Sequence, residues 1–342
     1  MKQFIDIGIM CYPGVQLAAV HGLTDIFVMA NKLESIPTPE ADSYVSAALD
    51  IPSEFDNNMH FRVSHWQPCK EGLVPVLSFN SDAVDPGDLH MIVVPGALDS
   101  ITESQVDTSI VEWIRHQYQR GALVSSVCKG AYWLAKSGIL HGRTITTHWS
   151  LEDDFSRSFP DINLDLGQII IDDGQVITAG GVMAWIDLGL TLVGRYLSPS
   201  VVLQLAKFLL VDPPHREQRY YSHFNPRFDH GDGVVLRLQN WLAQHYHHPV
   251  SLANLSELGE VSERTVTRRF KSALAMTPKA YIQQIRVSKA RSYLENTVLP
   301  LTQISILVGY EDVNSLRRQF THHVGLSPSD YRRRFSHLKA AL

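Results

Sequence analysis

Leu123-Val124-Ser125-Ser126-Val127-Cys128-Lys129-Gly130-Ala131 decides how the first two thirds of this chain are read. A short apolar run ends at a cysteine with small residues on both sides, and Gly130–Ser137 behind it reads as a helix. That is the strand-to-helix turn of a nucleophile elbow. Working outward, the same alternation recurs. Phe4–Met10 reads as a buried strand, Leu17–Lys32 as a helix, Met91–Val94 as a strand closed by Pro95-Gly96, Ser109–Arg120 as a helix and Ala122–Val127 as the strand of the elbow. Apolar strands separated by amphipathic helices predict an α/β domain, a parallel sheet flanked by helices. The helix N-terminus and Lys129 would both favour thiolate over thiol at Cys128. Gly96 and Ala97 would bring backbone N–H groups near the sulfur. A buried cysteine at a tight turn, with no chemistry, remains the alternative.

The last third follows another rule. Set against itself at an offset of 50 residues, the sequence brings Gly259 onto Gly309, Val266 onto Leu316, Arg268 onto Arg318, Phe270 onto Phe320, Pro278 onto Pro328 and Tyr281 onto Tyr331. Each copy holds a short helix (Leu252–Leu258; Thr302–Val308), a glycine-containing turn and a second helix (Ser262–Ala273; Asp312–His322). The pattern predicts an all-α domain with two helix-turn-helix units. Ser262 and Asp312 are natural N-caps. Helical spacing turns Val266 and Phe270 inward and leaves Arg264, Thr267, Arg268 and Lys271 outside. In the second copy Leu316 and Phe320 face inward, leaving Asn314, Arg317, Arg318 and Thr321 outside. These are residue types that reach phosphates and base edges. Lys279–Asn296 reads as one continuous helix, holding the two readers for successive major grooves about 34 Å apart.

At 342 residues, with 44% hydrophobic and 19% charged residues, the chain can bury two cores. Three cysteines, Cys11, Cys69 and Cys128, exclude a disulfide framework, and no apolar run is long enough for a membrane span. A cytoplasmic protein with no membrane partner is expected. Residues 1–229 hold 15 Lys and Arg against 27 Asp and Glu, a net of −12, whereas residues 230–342 hold 15 against 8, a net of +7. A basic tail on an acidic body suits a polyanion, although a solvated basic face would show the same balance. The division expected is 1–211, a linker at 212–232 rich in Pro, Gly, His and Arg and partly docked by its aromatics, and 233–342.

Ile304, Val308-Gly309-Tyr310, Phe320, Gly325-Leu326-Ser327-Pro328 and Tyr331-Arg332 resemble the AraC/XylS transcription regulators over roughly 233–336. An all-helical interaction domain with solvated arginines is the alternative. Residues 1–210 resemble the DJ-1/PfpI group of the class I glutamine amidotransferase-like, flavodoxin-like fold, especially its branch fused to AraC-type domains. The resemblance rests on Tyr12-Pro13-Gly14, Val94-Pro95-Gly96, Ser126 to Gly130, Gly138 to Arg143, Thr146-Thr147-His148-Trp149 and Thr178 to Gly181. It implies an acidic side chain near the cysteine in active relatives, at a position occupied here by Ala19, and histidine after the cysteine in the protease-like ones, where this chain has Lys129. His148 is the neighbouring candidate base. Without an oriented acid, the cysteine lacks the arrangement that turnover needs.

The resemblance therefore implies a ligand site rather than a catalytic one, with Cys128, Lys129, Gly96, Ala97, Tyr132, His148 and Trp149 as its residues and Trp133 and Trp185 converging on it. It further implies a small amine or amino-acid-derived inducer and a homodimer. No metal or cofactor is expected, because His245, His247, His248, His322 and His323 lack ligand spacing with cysteine or carboxylate partners. The expected function is a regulator that binds double-stranded promoter DNA under control of this ligand. The rival is a cysteine hydrolase or thiol redox sensor fused to a DNA-binding domain.

Overall fold

The protein's structure, a computed structural model, describes residues 3–34, 59–69, 74–99, 107–212, 217–222 and 224–336. The chain forms two compact units, Met1–Gln218 and Arg219–Leu342. In the first, seven strands among the described residues form one sheet: β1 (Gln3–Met10), β2 (Met59–Gln67), β3 (Val76–Asn80), β4 (Met91–Val94), β5 (Leu123–Val127), β8 (Ile170–Asp173) and β9 (Val176–Ala179). Their order is β3-β2-β1-β4-β5-β9-β8, and β6 (Thr144–Ile145) pairs separately with β7 (Asn163–Leu164). The five inner strands run parallel and both edges are antiparallel.

Both faces of the inner strands are covered, which is why they read as continuous apolar runs. On β4, Met91 and Val93 enter one core while Ile92 and Val94 enter the other. The first core is closed by α1 (Leu17–Glu34), α5 (Trp185–Gly194) and α6 (Pro199–Leu209) through Leu23, Phe27, Leu188 and Leu205. The second is closed by α2 (Thr108–Gln119), α3 (Ala131–Lys136) and α4 (Glu152–Ser158) through Ile110, Ile114, Leu134 and Phe155. A charge inside the sheet is compensated across the register: Asp6 of β1 accepts two 2.7 Å hydrogen bonds from Arg62 of β2.

The boundary between units falls inside the segment read as a linker. Gln218 is 2% exposed and its N–H donates to Gly167 O at 2.8 Å, so the first unit continues past Val211. Beyond it, Tyr221 packs edge-on against Phe335 and Phe224 against Tyr281, the docking expected of the linker's aromatics. Residues 213–216 and 223 of that segment lie outside the described residues.

The second unit comprises α7 (Gly233–His245), α8 (Leu252–Gly259), α9 (Glu263–Leu274), α10 (Pro278–Asn296), α11 (Leu301–Leu307), α12 (Val313–Val324) and α13 (Pro328–Phe335). Ser262 and Asp312 cap α9 and α12, accepting from Thr265 N and Ser315 N. The repeated prolines start α10 and α13, where a missing N–H is harmless. The long helix α10 divides its buried residues between two cores. Tyr281 and Ile285 join Val266 and Phe270, while Ala290 and Leu294 join Leu316 and Phe320. Phe270 is fully buried, a position where truncation to alanine costs about 3–5 kcal/mol. No helix among the described residues is long and apolar enough to cross a membrane.

Candidate functional site

The two readers expected from the repeat are exposed as their spacing requires. On α9, Val266, Phe270 and Leu274 are buried. Arg264, Arg268 and Lys271 are exposed, Thr267 is half-buried, and all four line one open groove of about 540 Å³ with Glu263 and Leu252. Glu263, which residue type alone does not mark as a DNA contact, stands four residues before Thr267, and the helical period points to it. Leu252 belongs to α8 and reaches the groove only by tertiary packing. Arg269 turns away and pairs with Asp232 at 3.1 Å. On α12, Leu316, Phe320 and Val324 are buried, whereas Asn314, Arg317, Arg318 and Thr321 are exposed. Arg317 donates to Asn314 Oδ1 at 3.4 Å and Arg318 to Ser315 Oγ at 3.1 Å.

In the first unit, Cys128 sits where β5 turns into a single 3-10 turn before α3, with φ +52° and 3% exposure. A left-handed conformation costs a non-glycine residue about 1–2 kcal/mol, and the packing around it enforces that cost. Gly130 passes so near the neighbouring strand that a Cβ there would stand 2.2 Å from Val94 O. Thr147 Oγ1 donates to Cys128 O at 2.8 Å. The loop after β4 is fixed opposite. Tyr12 Oη donates to Pro95 O at 2.6 Å, Gln16 N donates to Gly96 O at 2.8 Å, and Val15 bridges to Ala97. A Cβ built on Gly96 would lie 3.1 Å from Cys128 Cβ, so Gly96 and the cysteine are neighbours as expected.

The electrostatics reverse one expectation. Burial pushes the Cys128 thiol above its ordinary value, and the Lys129 amide and ammonium only partly offset this, so the neutral thiol is favoured. Lys129 Nζ instead donates to Asp99 O at 2.5 Å and Leu98 O at 3.5 Å. His148 Nδ1 is occupied, 2.7 Å from Ser150 Oγ and accepting from Ser150 N at 3.2 Å. Burial, then the charge of Lys129, holds His148 below the usual histidine range. Ala19 lies fully buried on α1. Among the described residues, no carboxylate hydrogen-bonds the Cys128 sulfur.

The aromatic residues divide. Trp149 is half-buried beside His148, with ring centroids 5.2 Å apart. Tyr132 is fully buried between Phe155 and Phe159, with its hydroxyl on Asp154, which corrects its place among the lining residues. Trp133 packs against Tyr12 at 4.2 Å and supports the elbow from the core. Trp185 lies over Gly22 of α1, where a Cβ would sit 2.4 Å from its ring, and packs against the core cluster that includes Cys128. As for metals, His245 stacks on Trp241 at 4.4 Å, and no described cluster of three His, Cys, Asp or Glu could hold an ion.

Residues 67–195 match the DJ-1/PfpI family and residues 255–334 match a helix-turn-helix domain. The chain is 28% identical over 293 residues to the HTH-type transcriptional regulator CdhR of Pseudomonas aeruginosa, covering 82% of this chain and 85% of CdhR. It is 24% identical over 257 residues to the HTH-type transcriptional regulator GbdR of the same species, covering 74% of this chain and 67% of GbdR. A solved AraC family transcriptional regulator from Pseudomonas putida aligns with TM-score 0.43 and 16% identity, covering 60% of this chain and 99% of that one.

Proposed function

We propose that this chain, a DJ-1/PfpI domain followed by an AraC-type helix-turn-helix domain, is a transcription regulator whose two recognition helices bind double-stranded promoter DNA. A small-molecule inducer at the Cys128 elbow controls it. The observation that carries the reading is the α9 groove, where Arg264, Thr267, Arg268 and Lys271 project together from a helix whose opposite face is buried. Three cations on one open helix face suit phosphates and guanine edges. Asn314, Arg317 and Arg318 repeat the arrangement on α12.

The elbow supports binding rather than turnover. A buried neutral thiol without a carboxylate partner is a poor nucleophile. Lys129, partly exposed beside the elbow, suits a carboxylate and the half-buried Trp149 suits an ammonium group, together the chemistry of an amino-acid-derived ligand. Gly96, Ala97, His148 and Cys128 complete the proposed site, in a cytoplasmic homodimer. The rival is a cysteine hydrolase or thiol sensor using the same Cys128 elbow.

The test is selection of duplexes from a random library by the full chain, followed by thermal shift with a panel of amines and amino acids. A ligand at 100 times its Kd adds about 2.7 kcal/mol. Failure to enrich any duplex refutes the DNA reading. Conversion of a panel compound that disappears in Cys128→Ser makes the protein an enzyme.

A further inference from the structure

Gln218 lies outside both matched stretches, 67–195 and 255–334. Yet it is 2% exposed and its carboxamide is hydrogen-bonded at both its nitrogen and its oxygen. Nε2 donates to Thr147 O at 2.9 Å and Leu166 O at 3.1 Å, and stands 3.4 Å from Thr146 Oγ1. Oε1 accepts from Trp149 N at 3.0 Å. The fit is exact to within one methyl group: a Cβ on Gly180 would lie 2.5 Å from Gln218 Nε2 and 2.8 Å from Thr147 O. Thr147 in turn donates its hydroxyl to Cys128 O at 2.8 Å. Two side chains thus connect Gln218 to the elbow, and the loop they hold carries His148 and Trp149.

The next residue, Arg219, opens the second unit. Within that unit the carbonyls of Arg219 and Ser222 accept from the guanidinium of Arg291, the first at 3.0 Å. Arg291 is 5% exposed on α10, and its guanidinium lies 5.6 Å from the centre of the Tyr331 ring. A buried cation is costly to leave unpaired, so residues 219–222 are firmly fixed to α10. That helix contributes to the cores of both helix-turn-helix units.

We infer that Gln218 is a positioning residue that couples the ligand site to the DNA-reading unit. Its carboxamide sets the 146–149 loop at the elbow, and its backbone leads directly into the segment that Arg291 fixes on α10. The inference rests on the proposed function and adds the route of its regulation. A ligand that tightens or displaces the loop at His148 and Trp149 must move Gln218 or break its hydrogen bonds, and the peptide bond to Arg219 carries that change onward. Because coupling is reciprocal, DNA must in turn alter the elbow.

The test uses the full chain, the duplex it selects from a random library, and iodoacetamide as the probe. Alkylation is followed on the Cys128 peptide by mass spectrometry, which separates it from Cys11 and Cys69. Bound duplex is expected to change the Cys128 alkylation rate about fivefold or more. In Gln218→Ala the effect should shrink below about twofold while duplex affinity persists. Hydrogen exchange of the wild type supplies a second readout should that variant fold poorly: amides of 146–149 and 217–222 are expected to change protection with duplex. An unchanged Cys128 rate in wild type, an effect that survives intact in Gln218→Ala, or protection changes confined to 252–335 would overturn the inference. Failure to select any duplex would instead sink the proposed function.

Discussion

Three arginines on α9 share a helix and differ in fate, which makes them a controlled test of the DNA reading. Arg264 and Arg268 line the open groove, whereas Arg269 is committed to Asp232 at 3.1 Å. If Arg268 contacts a phosphate, Arg268→Ala should lower the slope of log K against log salt by about 0.9. Between 50 and 200 mM salt that amounts to roughly a 3.5-fold smaller loss of affinity. If it reads a base, the selected duplex should lose about 1–3 kcal/mol, near 5- to 150-fold in Kd, and random duplex much less. Arg269→Ala should do neither. It removes a partly exposed ion pair worth about 0.2–1 kcal/mol of folding stability. Fluorescence anisotropy with selected and random duplexes at four salt concentrations measures all of these terms, and urea titration measures the stability change. Arg268→Ala with unaltered Kd and slope would refute the reasoning. So would Arg269→Ala with the same loss of slope, because the groove would then not distinguish the two.

Gly130→Ala forces a Cβ to within 2.2 Å of a backbone oxygen that belongs to an inner strand, so the strand or the elbow must shift. Overpacking of this kind costs about 1–3 kcal/mol or more, and an unchanged urea midpoint for the first unit would show that the approach is not tight. The pH profile of Cys128 alkylation follows from burial, which favours the neutral thiol while only thiolate reacts. The rate should rise with pH to a midpoint above the ordinary thiol value of 9.0, and a midpoint below that value would restore the thiolate that Lys129 alone suggested.

Period and repeat made most of the fold legible. The alternation around Cys128 and the offset of 50 residues depend on local spacing, which the structure inherits directly. The repeat holds in the caps and cores of its second helices, Ser262 with Asp312 and Val266 and Phe270 with Leu316 and Phe320, but not in its first helices, capped by Ser251 and Pro300, nor in its turn. Gly309 takes the left-handed φ of +87°, whereas in the first copy Glu260, not Gly259, is left-handed. Self-comparison alone could not show that shift of one residue, because a polar side chain also tolerates the conformation at modest cost. Misjudgements at the site came from quantities that spacing does not carry. Whether Tyr132 faces a pocket or a core depends on α4, which supplies Phe155 and Asp154 from a distance in sequence. The state of Cys128 depends on total desolvation, and one nearby lysine does not outweigh it. A lone glutamine in a polar segment carries no pattern, and the partners of Gln218 at 146, 147, 149, 166 and 167 meet it only in the fold.

The strained elbow can be separated from the chemistry usually attached to it. Cys128 holds φ +52° because three contacts demand the turn: Gly130 against Val94 O, Thr147 on Cys128 O, and Gly96 against the cysteine Cβ. Two of them involve the backbone alone at position 128 or 130 and would persist without the sulfur. The strain therefore belongs to the packing of β5 against the loop after β4, and a positive φ here is not in itself a sign of a nucleophile. What the turn does deliver is a rigid carbonyl at Cys128, to which Thr147 and then Gln218 attach. A rigid origin is a requirement for signalling, since displacement of the 146–149 loop can bias a distant equilibrium only if the reference it moves against stays fixed. In the proposed coupling the turn at Cys128 is the anchor, and the cysteine is the residue that occupies it.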